Sequence, residues 1–322
     1  MTIMNDARNL IENAARVLII SHVQPDADAY GSSLAMYFVG LALGKECCVV
    51  NESGLLPEYA FLPGSEVVQS AIPETFSYDL LCVCDCGDEK RVGDSLKHIL
   101  RSNTPILNID HHISNTRFGS VNLVEDTLSS TCELVAQFSK TLGLALDASI
   151  ATNLLTGIVG DTGSFRYRNA SPETLRLAAE LSEAGADLSC ISGQLFAQRS
   201  LASVHLESDV MSKLKLFGDN QVAKIVATKE MLQTHGATKA DCESLVEKAR
   251  DIRGVRVSIF IREDEDVWKV SLRSVDGSLN MSEVAGQFGG GGHLQAAAFR
   301  YRGDLTVLEK QLMELILAQV TG

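Results

Sequence analysis

The sequence predicts an α/β protein: a parallel sheet with helices on both faces, then a helical connector and a smaller mixed α/β domain. Three observations carry this. Short apolar runs alternate with helical stretches in the first half. Strand-like segments follow one another after a change of pattern near residue 190. Motifs rich in Asp and His stand directly after predicted strands. The 322 residues are enough for two domains of ordinary size.

Ala7, Leu10, Ile11 and Ala14 recur at helical spacing and open the chain with an amphipathic helix. Val17 to Ile20 reads as a buried strand, and Cys47 to Val50, Leu80 to Cys84 and Pro105 to Ile109 read as three more. Gly31 to Leu43 is small and apolar and stops at Gly44, so a helix is expected there. Ser130-Thr-Cys-Glu133 has capping-box form, Asp147 caps a helix through Leu154, Leu155 and Ile158, and Ser171-Pro172-Glu173 starts another that closes near Gly185. A helical connector over Leu201 to Leu216 is expected next. Strands then follow at Val222–Ala227, Val255–Ile261, Val267–Leu272 and Ala297–Tyr301, with a helix over Leu245–Ile252. Glu263-Asp264-Glu265-Asp266 marks a solvated hairpin turn. The domain boundaries expected are 1–190, a connector at 191–217, and 218–322.

The net charge is −13, from 28 basic and 41 acidic residues, which excludes a broad electrostatic grip on long duplex nucleic acid. No apolar run is long enough to span a membrane, and the first fifteen residues, with Asn5, Asp6, Arg8, Asn9, Glu12 and Asn13, are too polar for a signal-peptide core. A cytoplasmic location is expected. The eight cysteines show no zinc-type pairing and read as small buried hydrophobes, with Cys82, Cys84 and Cys86 alternating onto one face.

The chemistry sits in four groups. His22, Asp26 and Asp28 follow strand one, Asp85 ends strand three, Asp110-His111-His112 ends strand four, and Asp161 lies in the turn Gly-Asp-Thr-Gly. Beyond the carboxyl ends of parallel strands all four can converge. Asp and His together suit a borderline divalent ion: Mn²⁺ first, with Mg²⁺, Co²⁺ or Zn²⁺ as substitutes. Four carboxylates would balance two such ions charge for charge, with Asp85 the best candidate to bridge them. Two metals about 3.5–4 Å apart can share a hydroxide and clamp a phosphate oxygen. His112 is expected beside the metals, as general acid or phosphate contact, with Asp110 orienting an imidazole. Each residue alone has a plainer reading: Asp26 and Asp28 as cap or turn residues, a single His as surface or satisfied core.

In the second domain Arg273-Ser274 ends a strand, Ser282 begins a short helix, and Gly289-Gly290-Gly291-Gly292 runs into His293. Glycine lets a backbone approach an anion closely, and Arg273 can grip a phosphate with two parallel hydrogen bonds. A flexible linker is the plainer reading, but the run lies between an apolar helix and an apolar strand. A site for one end of a nucleotide is expected.

Three segments together resemble the DHH phosphoesterase superfamily with its associated C-terminal domain. They are Asn108-Ile-Asp-His-His112 with Ser114-Asn115 and Phe118-Gly119, Gly160-Asp-Thr-Gly-Ser-Phe165, and Phe288-Gly-Gly-Gly-Gly-His293 with Ala296-Ala297. The similarity spans nearly the whole chain and is greatest to the branch of nanoRNases and 3′-phosphoadenosine 5′-phosphate phosphatases. It implies that His22, Asp26, Asp28, Asp85, His111 and Asp161 hold two manganese ions, that His112 contacts the scissile phosphate, and that Arg273, Ser274, the glycines 290–292 and His293 bind the far end of the nucleotide. It also implies a five-stranded parallel sheet, an active site in the cleft between two domains, and a homodimer. Ala27 and Ala298 stand where relatives often carry glycine; neither removes a functional group. The function implied is hydrolysis of short oligoribonucleotides, of the 3′-phosphate of 3′-phosphoadenosine 5′-phosphate, or of both. The rivals are a phosphodiesterase for cyclic di-AMP or linear pApA, a polyphosphatase or pyrophosphatase, and a non-catalytic nucleotide sensor.

Overall fold

The computed structural model describes residues 3–321 apart from 243 and 276; the outer ends of the two expected domains, Met1 and Gly322, lie outside them. The chain divides into two compact units, Met1–Gln198 and Arg199–Gly322. Among the described residues no helix is long and apolar enough to cross a membrane.

In chain order the first unit contains α1 (Ile3–Asn13), β1 (Arg16–Ile20), α2 (Ala27–Ala42), β2 (Glu46–Val50), β3 (Val68–Gln69), β4 (Leu80–Cys84), β5 (Ile106–Asp110) and β6 (Val121–Val124). Four helices follow: α3 (Thr131–Thr141), α4 (Ala148–Asp161), α5 (Pro172–Glu183) and α6 (Leu188–Phe196). The sheet order is β3-β2-β1-β4-β5-β6, and every pairing is parallel. Six strands stand where five were expected, the two-residue β3 and the short β6 extending the four read from the sequence. Neither is long enough to show a period. Strands buried on both faces lose their polar alternation, and β4 and β5 are buried throughout.

Val17, Ile19, Cys82, Cys84, Leu107 and Ile109 face the α-helices, while Leu18, Ile20, Leu81 and Val83 face the other side. There Val92, Leu96 and Ile99, from short 3-10 segments and their flanks, complete the core. Helical segments therefore cover both faces, the long ones gathered on one. Cys82 and Cys84 share a face, with sulfurs 3.8 Å apart. Cys86 packs on the opposite face, a correction to the expected alternation: the strand ends at Cys84, and Asp85 has φ +53°, which reverses the direction of the chain.

The order of strands reverses between β1 and β4. At such a switch point the connections leave in opposite directions and open a crevice. Helix α2 starts at Ala27, earlier than the expected Gly31, because the Asp26 side chain caps it, accepting from Asp28 N and Ala29 N at 3.1 and 3.0 Å. The expected capping box at Ser130–Glu133 forms by half. Ser130 Oγ accepts from Glu133 N, whereas the Glu133 carboxylate accepts from Ser129 N and Oγ and from Thr174 Oγ1.

The second unit contains α7 (Leu201–Ser212), β7 (Lys215–Phe217), β8 (Val222–Ala227), α8 (Lys229–His235), α9 (Leu245–Arg250), β9 (Val257–Glu263) and β10 (Trp268–Ser274). It closes with α10 (Met281–Gly286), β11 (Gly291–Gly292), β12 (Ala296–Tyr301) and α11 (Leu305–Thr321). Its mixed sheet runs β11-β12-β10-β9-β8-β7, with only β8 and β9 parallel. Helix α11 buries Leu308, Leu312, Ile316 and Val320 on the sheet. The acidic run does mark the β9–β10 hairpin, yet Asp264 is not solvated. It is buried against Arg262, with Nε to Oδ1 at 2.9 Å, and that ion pair offsets its desolvation.

Candidate metal centre

The carboxyl ends of β1 and β4 flank the switch point and supply His22 and Asp85. Asn51, just after β2, donates to Ser21 Oγ and to His22 O, fixing the loop that presents His22. Asp85 is buried in a left-handed conformation that non-glycine residues adopt at a cost of order 1 kcal/mol. That conformation turns its carboxylate out of the alternation of the strand and across the crevice.

The two oxygens of Asp85 face different groups. Oδ2 lies 3.4 Å from His22 Nε2, which is 3.8 Å from Asp26 Oδ1. Oδ1 lies 3.9 Å from His111 Nε2, which is 3.9 Å from Asp28 Oδ2 and 3.2 Å from Asp161 Oδ2. Potential ligand atoms of His22, Asp26 and Asp85 lie within 4.8 Å of one another, as do those of Asp28, His111 and Asp161. The structure thus brings together all six side chains named from the sequence. His112 lies alongside, its Nδ1 3.5 Å from Asp85 Oδ1 but 2.7 Å from Asp110 Oδ1, to which it donates. Asp26 does two things at once: its Oδ1 closes helix α2 and also lies near His22 Nε2.

The donor set fits divalent cations. Oxygen and imidazole nitrogen converge without a thiolate, which matches Mn²⁺ and its neighbours. Both His22 and His111 turn Nδ1 toward a backbone carbonyl, Val23 O at 2.9 Å and Leu128 O at 3.4 Å, and present Nε2 to the carboxylates. That arrangement fixes the tautomer a metal needs. Among the described residues, no Lys or Arg pairs with Asp28, Asp85 or Asp161; their basic partners are histidines.

The ionisation of the cluster reflects this excess of negative charge. Burial, reinforced by Asp85 and Asp161, pushes Asp28 well above the usual carboxylate range. Burial raises Asp161 to about 6 against the opposing pull of His111. Burial alone would lower His111, but Asp161, Asp28 and Asp85 raise it to about 10. Burial would raise Asp85, yet the hydrogen bond and charge of His22, with His112 and His111, hold it well below the ordinary value. The metal-free cluster therefore keeps protons that a cation must displace. Cation affinity is expected to rise with pH between 6 and 8, by about tenfold per unit for each proton released, and to fall more steeply below pH 6 as Asp161 protonates. Titration calorimetry in buffers of different ionisation enthalpy measures that release; pH-independent binding would contradict it.

Several supports were not read from the sequence. The first turn of α3 meets Asp28: Thr131 N donates to Oδ2 at 2.7 Å and Cys132 N to Oδ1 at 2.9 Å. Thr131 Oγ1 donates to Asp85 Oδ1 at 3.0 Å. A helix N-terminus is a natural seat for a carboxylate, and the capping signal at Ser130 marked its position without revealing what it would face. Asn115 Nδ2 donates to Asp110 Oδ2 and to Asn108 Oδ1, so Asn108, Asp110, His112 and Asn115 form one network.

In the second unit, Arg273 Nε donates to Glu247 at 2.8 Å and Nη1 to its neighbour's carbonyl, Leu272 O. Ser274 is buried, its hydroxyl donating to Leu279 O at 3.3 Å. The expected glycine cradle is largely a hairpin: Gly291 and Gly292 pair with Ala298 and Ala297 of β12. A Cβ at Gly290 would meet Ala298 O at 2.3 Å, and one at Gly292 would meet Ala296 O at 2.4 Å. Close strand packing thus accounts for two of the glycines. Gly291 faces open space, His293 is exposed at the turn, and Arg273 pairs with Ala296 at the same end of the sheet.

Comparison with known proteins agrees with this division. The model of the DHH family N-terminal domain matches residues 16–158, and that of the DHHA1 domain matches residues 221–320. The chain is 34% identical over 309 residues to the bifunctional oligoribonuclease and PAP phosphatase NrnA of Thermus thermophilus, covering 95% of this chain and 90% of that protein. It is 31% identical to the cyclic-di-AMP phosphodiesterase PdeA of Listeria monocytogenes, over 98% of this chain but 49% of that one. An exopolyphosphatase-related protein from Bacteroides fragilis superimposes with a TM-score of 0.91 at 28% identity, covering 98% and 96% of the two chains.

Proposed function

The chain belongs to the DHH family of phosphoesterases and carries the DHHA1 domain after the DHH domain, and from that premise we propose that it hydrolyses short oligoribonucleotides and the 3′-phosphate of 3′-phosphoadenosine 5′-phosphate with two manganese ions. The supporting observation is the divided carboxylate of Asp85, one oxygen toward His22 and the other toward His111. His22, Asp26 and Asp85 would hold one ion, and Asp28, Asp85, His111 and Asp161 the other. Bound there, the ions would supply Lewis acidity and a water of lowered pKa. Asp110 holds Nδ1–H of His112, so Nε2 would be the nitrogen that contacts the scissile phosphate or protonates the leaving oxygen. Cations held among these carboxylates would draw the phosphate to the cluster. Arg273, Ser274, Gly290, Gly291, Gly292 and His293 would take the far end of the nucleotide.

A panel of di- to pentanucleotides and the adenosine bisphosphate, with Mn²⁺ against Mg²⁺, tests the reading. Turnover of the short RNAs and the bisphosphate is expected; an intact preparation inert toward every one would overturn it. Cyclic di-AMP and pApA belong in the same panel, since the similarity to PdeA spans nearly all of this chain. Preferential turnover of these two would replace the first reading with the second.

Arg273→Ala is expected to raise KM for dinucleotides about 10–100-fold, the worth of a charged hydrogen bond, with kcat little changed. Steady-state kinetics would reject the assignment if kcat fell while KM stayed constant.

A further inference from the structure

Beside the Asp/His cluster, within the same unit, lies a cavity of about 230 Å³ whose lining includes Asp26, Asp161, Tyr59, Leu195 and Phe196. We propose that this cavity seats the nucleobase adjoining the phosphate to be cleaved, with Phe196 and Tyr59 as stacking faces. The proposal rests on the phosphoesterase reading of the same cluster and adds the part of the substrate that the cluster does not hold.

Position carries the first part of the argument. Asp26 belongs to the His22/Asp85 group and Asp161 to the Asp28/His111 group, so the cavity adjoins both. Cations held between these carboxylates would draw the phosphate, and a phosphate seated there leaves the nucleoside to reach the cavity beside it. What enters is then the uncharged, planar part of the nucleotide. Size agrees: the cavity is smaller than the roughly 300–1,000 Å³ of sites that enclose a whole drug-sized ligand, and suits one ring system.

The lining carries the second part. Phe196 ends α6 and is 45% exposed, a large apolar surface left open beside a charged site. Tyr59 is held from behind by Tyr30, with ring centroids 5.0 Å apart. Tyr30 is itself buried, and its hydroxyl donates to Gly54 O and accepts from Leu56 N. The Tyr59 ring is thus a prepared platform. Stacking on an aromatic face reads no base edge, so all four bases are accommodated.

The test uses the full manganese-loaded chain, with adenosine 5′-monophosphate and ribose 5-phosphate as probes in titration calorimetry. The native protein is expected to bind the nucleotide more tightly than the sugar phosphate. Phe196→Ala is expected to lose about tenfold in affinity for the nucleotide and none for the sugar phosphate, and Phe196→Trp to restore it. An unchanged melting temperature shows that Phe196→Ala is folded. Equal native affinity for the two probes, or an equal loss for both in Phe196→Ala, overturns the base site. A protein that shows the expected binding differences yet cleaves no phosphoester overturns the hydrolase reading and leaves the base site standing.

Discussion

Asp85→Asn is expected to reduce turnover by at least ~10³-fold, the upper end of what one electrostatic element contributes to a transition state. The substitution separates charge from fold. Asparagine has the same shape and tolerates the left-handed backbone found at Asp85, so the β4 terminus should hold its course. It has one oxygen, however, where the carboxylate presents Oδ2 to His22 and Oδ1 to His111. Whichever way the amide turns, its –NH₂ faces one of the two groups, and an amide nitrogen does not ligate a cation. Metal analysis of the variant should find fewer than two ions per chain. Full manganese-dependent activity in Asp85→Asn would show that the carboxylate is not shared.

Gly157→Ala is expected to disable the site from one residue behind it. Helices α2 and α4 pack closely here. A Cβ at Gly157 would lie 2.3 Å from Cys132 Sγ, 2.6 Å from Asp28 Oδ1 and 3.0 Å from Asp28 Cα. All three neighbours are buried and none can retreat into solvent. Overpacking of this kind costs about 1–3 kcal/mol of stability. The larger effect falls on Asp28, whose carboxylate is pinned between that contact and the first turn of α3. A displacement of about 1 Å can cost 10²-fold in rate. Thermal unfolding and kcat should both fall in Gly157→Ala. Gly193→Ala, on α6 with nothing within 4 Å of the new Cβ, should leave both nearly unchanged. If Gly157→Ala melts and turns over like the native protein, the close approach does not position Asp28.

Three of the residues that meet in the candidate metal centre were legible because each follows a short apolar run that reads as a strand. His22 after Ile20, Asp85 after Cys84 and His111 after Ile109 are of this kind. The expected start of α2 at Gly31 rests on where the small, apolar run begins, whereas the Asp26 side chain accepts the first free N–H groups and starts the helix four residues earlier. Cys86 was placed on the wrong face because strand alternation was carried through a residue with positive φ. Asp264 reads as solvated because it stands in an acidic run, whereas its partner, Arg262, lies two residues back near the end of β9. What the sequence does not show is that the glycines at 290 and 292 are also required by close contacts with β12.

The chain alone determined which side chains gather in the candidate metal centre and near which ends of which elements they stand. Periodicity and residue type are local, and both survive in one dimension. Only the tertiary structure decided that β1 and β4 are neighbours at the reversal of the sheet. It also decided that the first turn of α3 meets Asp28, and that the two oxygens of Asp85 divide between two groups. These depend on contacts between residues up to 104 positions apart, and no local preference encodes the orientation of a carboxylate across such a gap. Burial of the two sheet faces and the close approach of α2 to α4 set it.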